Sequence, residues 1–189
     1  MLPAPDGNAV GVDWERLPGV APADPAGVGA LLDRARAALG ELSGTRFVHD
    51  SREMLEATRA IEARALGVAP VLYVGFQDVE RFEETRPLYD RDVGTRVVAF
   101  GLRAPRHAPA VEWVEVPDNP RALENQWFLV ADTPAPMGLV GYETSAETHR
   151  RVGPAGSADR TWEGFRTRDP RLVAALVDHL EAVRRRHGG

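Results

Sequence analysis

The chain has 189 residues, a formal net charge of −5, 43% hydrophobic and 27% charged residues, and no cysteine. That length suits one domain with a core large enough to need no disulfide or metal, and zero cysteine excludes a disulfide framework, a thiol nucleophile and a thiolate metal site. All 23 basic residues are arginine, and their one dense run is Arg184, Arg185 and Arg186, so nucleic-acid binding is disfavoured. The opening stretch MLPAPDGNAVGVDWERLPGV lacks a basic leader and an apolar run. No apolar stretch approaches the roughly 20 residues that span a bilayer. The expectation is a cytoplasmic protein without a membrane segment.

Residues 1–24 are rich in Pro, Gly and Ala and read as a flexible or surface-lying arm. Residues 25–187 read as a single domain. Asp24-Pro25 gives an N-cap with proline at the first helical position, followed by an apolar stripe from Val28 to Leu42. Thr45 to His49 is expected as a short strand. Asp50 and Glu53 have capping-box spacing, and Met54, Leu55, Ile61, Ala65 and Leu66 predict the buried stripe of a helix ending at Gly67. Pro70 to Phe76 is a nearly continuous apolar run, the pattern of a strand buried on both faces. Residues 78–90 have helical spacing, with Pro87 expected to break or kink the helix.

Arg96 to Phe100 predicts a second buried strand, and Val111 to Val116 a half-exposed one whose Glu112 and Glu115 form a solvated face. A short helix is expected over 120–126. Strands follow at 127–131, 139–143 and 162–167, with a long irregular segment over 145–160. Asp169-Pro170 repeats the cap-plus-proline signal. A terminal helix then follows on Leu172, Val173, Leu176, Val177, Leu180 and Val183, its arginines at the negative end of the helix dipole. The fold class is therefore α/β: a single mixed β-sheet, parallel βαβ in its first half with antiparallel additions in its second, and helices packed on it.

Gln77 follows a strand of the parallel half, where ligands of α/β sheets bind, and Arg81 lies one helical turn later. Together they could offer donors and an acceptor to a small polar ligand. Alternatively, Gln77 caps the next helix and Arg81 pairs with Glu84 or Glu80. Trp113, Trp127, Trp162, Phe128 and Tyr142 either stack on a planar ligand such as flavin or pack the core. The five histidines are scattered, and no metal-ligand spacing is present. A phosphate loop of the lysine type cannot exist without lysine, and no G-x-S-x-G occurs. No catalytic site is expected.

Five segments, in order, carry a family likeness: MLEATRAIEARAL with VLYVGFQ, then VVAFG, VPDNPRALENQWFLV, LVGYE and TWEGFRTRDPRLV. Phe76, Gln77, Arg81, Phe82, Tyr89, Asp118, Leu123, Trp127, Trp162, Glu163, Gly164, Thr167 and Asp169 hold the matching positions. The chain resembles the DICT family, the sensory domain of diguanylate cyclases and two-component systems, over roughly two-thirds of its length. It departs from that pattern at Gln126, where members often have an acid before the tryptophan, and at Tyr142, where arginine is common.

The resemblance implies a cytoplasmic input module of bacterial signalling associated with light response. It leaves the ligand, chromophore or other cofactor open. With no cyclase, phosphodiesterase, kinase or anti-sigma domain attached, such a module would signal through a partner protein, and it could form a homodimer. The candidate ligand contacts are Phe76, Gln77, Arg81, Phe82, Tyr89, Trp127, Tyr142 and Glu143. Two other functions compete. One is a protein-interaction adaptor without a ligand, and the other a small enzyme using carboxylates and arginines near Gln77 and Glu143.

Overall fold

A computed structural model describes residues 45–76, 79–91, 94–116, 126–132, 134–143 and 160–187. The expected arm (1–24), the helix after Asp24-Pro25, Gln77, all but the last residue of the short helix expected over 120–126, and all but the last residue of the segment 145–160 lie outside the described residues. Gln126 belongs to a strand, not to that helix.

The described elements, in chain order, begin with β1 (Thr45–Asp50), α1 (Ser51–Ala65), β2 (Val71–Gly75), α2 (Val79–Tyr89) and β3 (Arg96–Gly101). Then come β4 (Val111–Glu115), β5 (Gln126–Ala131), β6 (Met137–Glu143), β7 (Thr161–Thr167) and α3 (Pro170–His187). The strands form one sheet in the order β1-β7-β6-β5-β2-β3-β4. β2, β3 and β4 are mutually parallel, and the pairings from β2 through β5, β6 and β7 to β1 are antiparallel. This is the mixed α/β sheet expected from the sequence.

The continuous apolar runs form inner strands because both sheet faces are covered. Along each strand successive side chains alternate faces. Tyr73, Val98, Phe100, Phe128, Val140 and Phe165 pack in a core with α3. Leu72, Val74, Val97, Leu129, Leu139 and Trp162 pack in a second core with α1 and α2. β2, α2 and β3 make one parallel βαβ unit. α1 links β1 to β2 across three intervening strands, and packs on those strands, β7, β6 and β5, on the way.

Local chemistry sets the helix ends. The Glu53 backbone N–H donates to Asp50 Oδ1 at 2.8 Å, and the Asp50 N–H donates to Glu53 Oε2 at 3.0 Å, completing the capping box. Gly67 follows α1 at φ 74°, a left-handed turn that favours glycine. At α3 the Arg171 N–H donates to Asp169 Oδ1 at 2.9 Å.

Four details differ from the sequence reading. Pro87 lies inside α2, and the Asp90 N–H still bonds to the Arg86 carbonyl at 2.9 Å. Proline in the last turn forfeits little, and the buried Tyr89 holds that turn down. On α1 the buried residues are Ser51, Met54, Thr58, Glu62 and Ala65, whereas Leu55 is exposed. On α3 His179 is buried while Val177 is only half-buried. Glu112 and Glu115, three residues apart on a strand, face opposite sides, so they form no common solvated face.

Candidate functional site

β1, β2, β3, β4 and β6 run in one direction and β5 and β7 in the other, so one end of the sheet collects particular residues. It carries the last residues of β2, β3 and β6 and the first of β5 and β7. On the α1/α2 face, this end presents Trp162, Glu143, Trp127 and Phe76, while Trp113 of β4 reaches toward it over Gly101. A Cβ on Gly101 would fall 1.9 Å from Trp113 Cζ2, so glycine is what lets the indole lie there.

The row divides into two groups. Around β2 and β4, Phe76 stacks on Trp113 with centroids 6.1 Å apart, and Phe82 of α2 meets both edge-on at 5.3 and 5.1 Å. Tyr89 closes the cluster 6.3 Å from Phe76. The Trp113 indole N–H is buried and meets no hydrogen-bond partner among the described residues. Burying such a donor unsatisfied costs about 1–3 kcal/mol.

Around β6 and β7, Arg160 and Glu143 form a forked ion pair. Nε donates to Oε1 at 2.6 Å and Nη2 to Oε2. Both side chains are largely buried. The guanidinium also lies 4.9 Å over the Trp162 ring, a cation–π geometry. Trp162 in turn meets Trp127 edge-on at 5.4 Å.

Beneath this row, α1 presents a polar stripe to aromatic donors. The Trp162 indole donates to Ser51 Oγ at 3.2 Å, Trp127 to Thr58 Oγ1 at 2.9 Å, and the Tyr89 hydroxyl to Glu62 Oε1 at 2.6 Å. Burial pushes the Glu62 carboxyl above its ordinary value against the opposing Tyr89 hydrogen bond and Arg59 charge. Burial, and then Glu62, push the Tyr89 phenol well up.

The opposite face is tied at α3. Glu181 accepts from the Tyr73 hydroxyl at 2.8 Å, from Arg96 at 3.1 Å and from Arg184 at 2.9 Å. Arg184 also donates to Glu112 at 2.9 Å. Burial raises the Glu181 carboxyl, but the hydrogen bonds from Arg184 and Tyr73 outweigh it and the net shift is downward.

Of the sequence candidates, Phe76, Phe82 and Tyr89 come together in one cluster, and Trp127 and Glu143 lie on the same face in the neighbouring group. Arg81 pairs with Glu84 at 3.1 Å on the outer side of α2, the surface pairing weighed against a ligand role. Tyr142 faces the α3 side, away from its neighbour Glu143. Gln77 lies outside the described residues. Sequence reasoning missed Arg160, which no local pattern marks. It also missed the polar stripe of α1, which the 51-54-58-62-65 spacing could have revealed.

Among the described residues no group of three or more His, Asp or Glu side chains is placed to hold a metal ion, and no helix is long and apolar enough to cross a membrane. Comparison with protein-family models, with curated proteins and with solved structures finds no match.

Proposed function

We propose that the chain is a non-catalytic cytoplasmic sensory module of the DICT type that recognises a small, partly aromatic ligand at this end of the sheet and signals through a partner protein. The carrying observation is the Phe76, Phe82 and Trp113 cluster beside the carboxyl ends of parallel strands, with a buried indole N–H that meets no hydrogen-bond partner among the described residues. Ligands of open α/β sheets bind at those ends, and apolar walls with a few fixed polar groups are the usual lining of such sites.

A second observation supports the family resemblance. Gln126 and Tyr142, the two positions that depart from the family pattern, are direct partners between β5 and β6. An acid and an arginine there would face each other as an ion pair, so replacing both by an amide and a phenol changes one interaction rather than two. The link to light response rests on the resemblance alone.

Thermal-shift screening of the purified protein against a small-molecule collection tests the proposal. A ligand at a hundred times its Kd raises stability by about 2.7 kcal/mol. The expected result is a set of ring-containing hits whose shift shrinks in Trp113→Phe, which keeps the ring but loses the N–H. Hits that stabilise Trp113→Phe and Phe76→Leu as strongly as the wild type would overturn the assignment of the site.

A further inference from the structure

Glu62 is 3% exposed on α1, and among the described residues its one hydrogen-bond donor is the Tyr89 hydroxyl of α2, itself 1% exposed. The contact joins the two helices that cover one face of the sheet. Thr58, whose hydroxyl accepts from Trp127, and Ala65 flank Glu62 on its own buried stripe, and Met54, Ala65, Phe76 and Phe82 belong to the apolar cluster on this face. The charged and titratable groups acting on Glu62 are Tyr89 from α2 and Arg59 from its own helix. Arg59 is exposed. The nearby polar residue before β3, Thr95, is committed elsewhere: its hydroxyl accepts from the Gly67 N–H at 2.8 Å and donates to the Ala65 carbonyl at 3.3 Å.

A neutral carboxyl sits in this setting at little electrostatic cost, with one phenol as partner. A carboxylate in the same place gives up most of its hydration for one hydrogen bond and a screened arginine. The relief open to the ionised form is movement toward water. Glu62 stands four residues before the Leu66–Pro70 turn, so that movement separates the end of α1 from α2.

We infer that the Glu62–Tyr89 contact is a proton-operated clasp between α1 and α2: closed while Glu62 carries its proton, and loosened when Glu62 ionises. Because Tyr89 also packs on Phe76 at 6.3 Å, loosening the clasp withdraws a wall from the aromatic cluster. The proton thus acts on that end of the sheet from behind. The inference holds for a sensor, an adaptor or an enzyme alike.

The sign follows from linkage. The closed state binds the Glu62 proton more tightly than the open state, so opening becomes easier as pH rises through the interval between the two pKa values. Within that interval a single coupled proton makes the opening constant grow about tenfold per pH unit, and outside it the dependence is flat.

Hydrogen exchange of the full chain, corrected for the intrinsic pH dependence of exchange, reads the opening directly. Amides of the last two turns of α1 and of the turn after it should lose protection with the same midpoint as the Glu62 carboxyl carbon shift. In Glu62→Gln, which keeps an acceptor for Tyr89 but cannot ionise, their protection should be flat with pH. If Glu62→Gln fails to fold, the wild-type comparison still decides. A Glu62 that titrates at its ordinary value, or amide protection that does not follow its midpoint, overturns the clasp. So does an unchanged pH dependence in Glu62→Gln.

Discussion

The Trp127 indole donates to the Thr58 hydroxyl at 2.9 Å, and through it β5 grips α1 at the middle of the helix's buried stripe. Thr58→Val keeps the shape and removes the acceptor. It should lower unfolding free energy by about 1–3 kcal/mol, because the half-buried Trp127 N–H is left unsatisfied. In a double-mutant cycle with Trp127→Phe, urea denaturation should show a coupling of about 0.5–3 kcal/mol. Strictly additive effects would mean that the hydrogen bond contributes nothing.

Two glycines of the sheet should respond differently to alanine. A Cβ on Gly164 would lie 1.9 Å from the Val140 carbonyl oxygen and 2.7 Å from Gly141 Cα. Both are backbone atoms of the neighbouring strand, so β6 and β7 would have to part. A Cβ on Gly101 meets the Trp113 ring instead, a side chain able to turn. Gly101→Ala should cost about 1–3 kcal/mol, the usual range for overpacking, and Gly164→Ala should cost more. Trp113→Leu should recover part of the Gly101→Ala loss in thermal melts; a lack of recovery would place the strain elsewhere.

Glu181 and Glu62 should give opposite pH signatures. The folded-state pKa of Glu181 lies below its ordinary value. Its contribution is therefore present above the unfolded pKa and lost as pH falls through the folded one. Glu181→Gln should weaken the protein at neutral pH by about 1.5–3 kcal/mol, the range for hydrogen bonds to a charged group, with a smaller effect at high salt. Its stability should converge with the wild type in acid. Glu62, whose pKa is raised, contributes stability below its unfolded pKa that is lost as pH rises through the folded one. Denaturant titrations at several pH values check both, and a Glu181→Gln deficit that persisted in acid would contradict the first.

The buried Glu143–Arg160 pair should be costly to break from one side only. Removing one partner of a buried ion pair typically costs about 3–5 kcal/mol, because the other charge is stranded. Arg160→Met should therefore destabilise more than Arg160→Met combined with Glu143→Leu. Guanidinium denaturation of the three proteins decides it, and a double variant weaker than the single would show that Glu143 is held by other groups.

Much of the architecture was legible because it rests on local signals. Pro70 to Phe76 and Arg96 to Phe100 read as strands buried on both faces because helices cover both sides. Asp50 and Asp169 announced their helices through capping chemistry that spans only a few residues. The buried face of α1 was not legible from hydrophobicity, which favours Leu55 over Thr58 and Glu62. The donors that make those polar residues fit, Trp162, Trp127 and Tyr89, come from distant parts of the chain.

At the candidate site, strand and helix spacing brought Phe76, Phe82 and Tyr89 to one cluster. Strand alternation alone separates Tyr142 from Glu143, since neighbours on a strand face opposite sides. Arg160 had no readable signal, because only the β6–β7 pairing brings it to Glu143.

Native mass spectrometry of the freshly purified chain, read beside its absorbance spectrum, tests the proposed sensory role most directly. The expected result is a small-molecule adduct in stoichiometric amount that leaves on denaturation and is diminished in Trp113→Phe. A visible absorbance band in the same sample would join it to light response. The bare chain mass, a colourless spectrum and no stabilising small molecule would contradict ligand recognition at this end of the sheet.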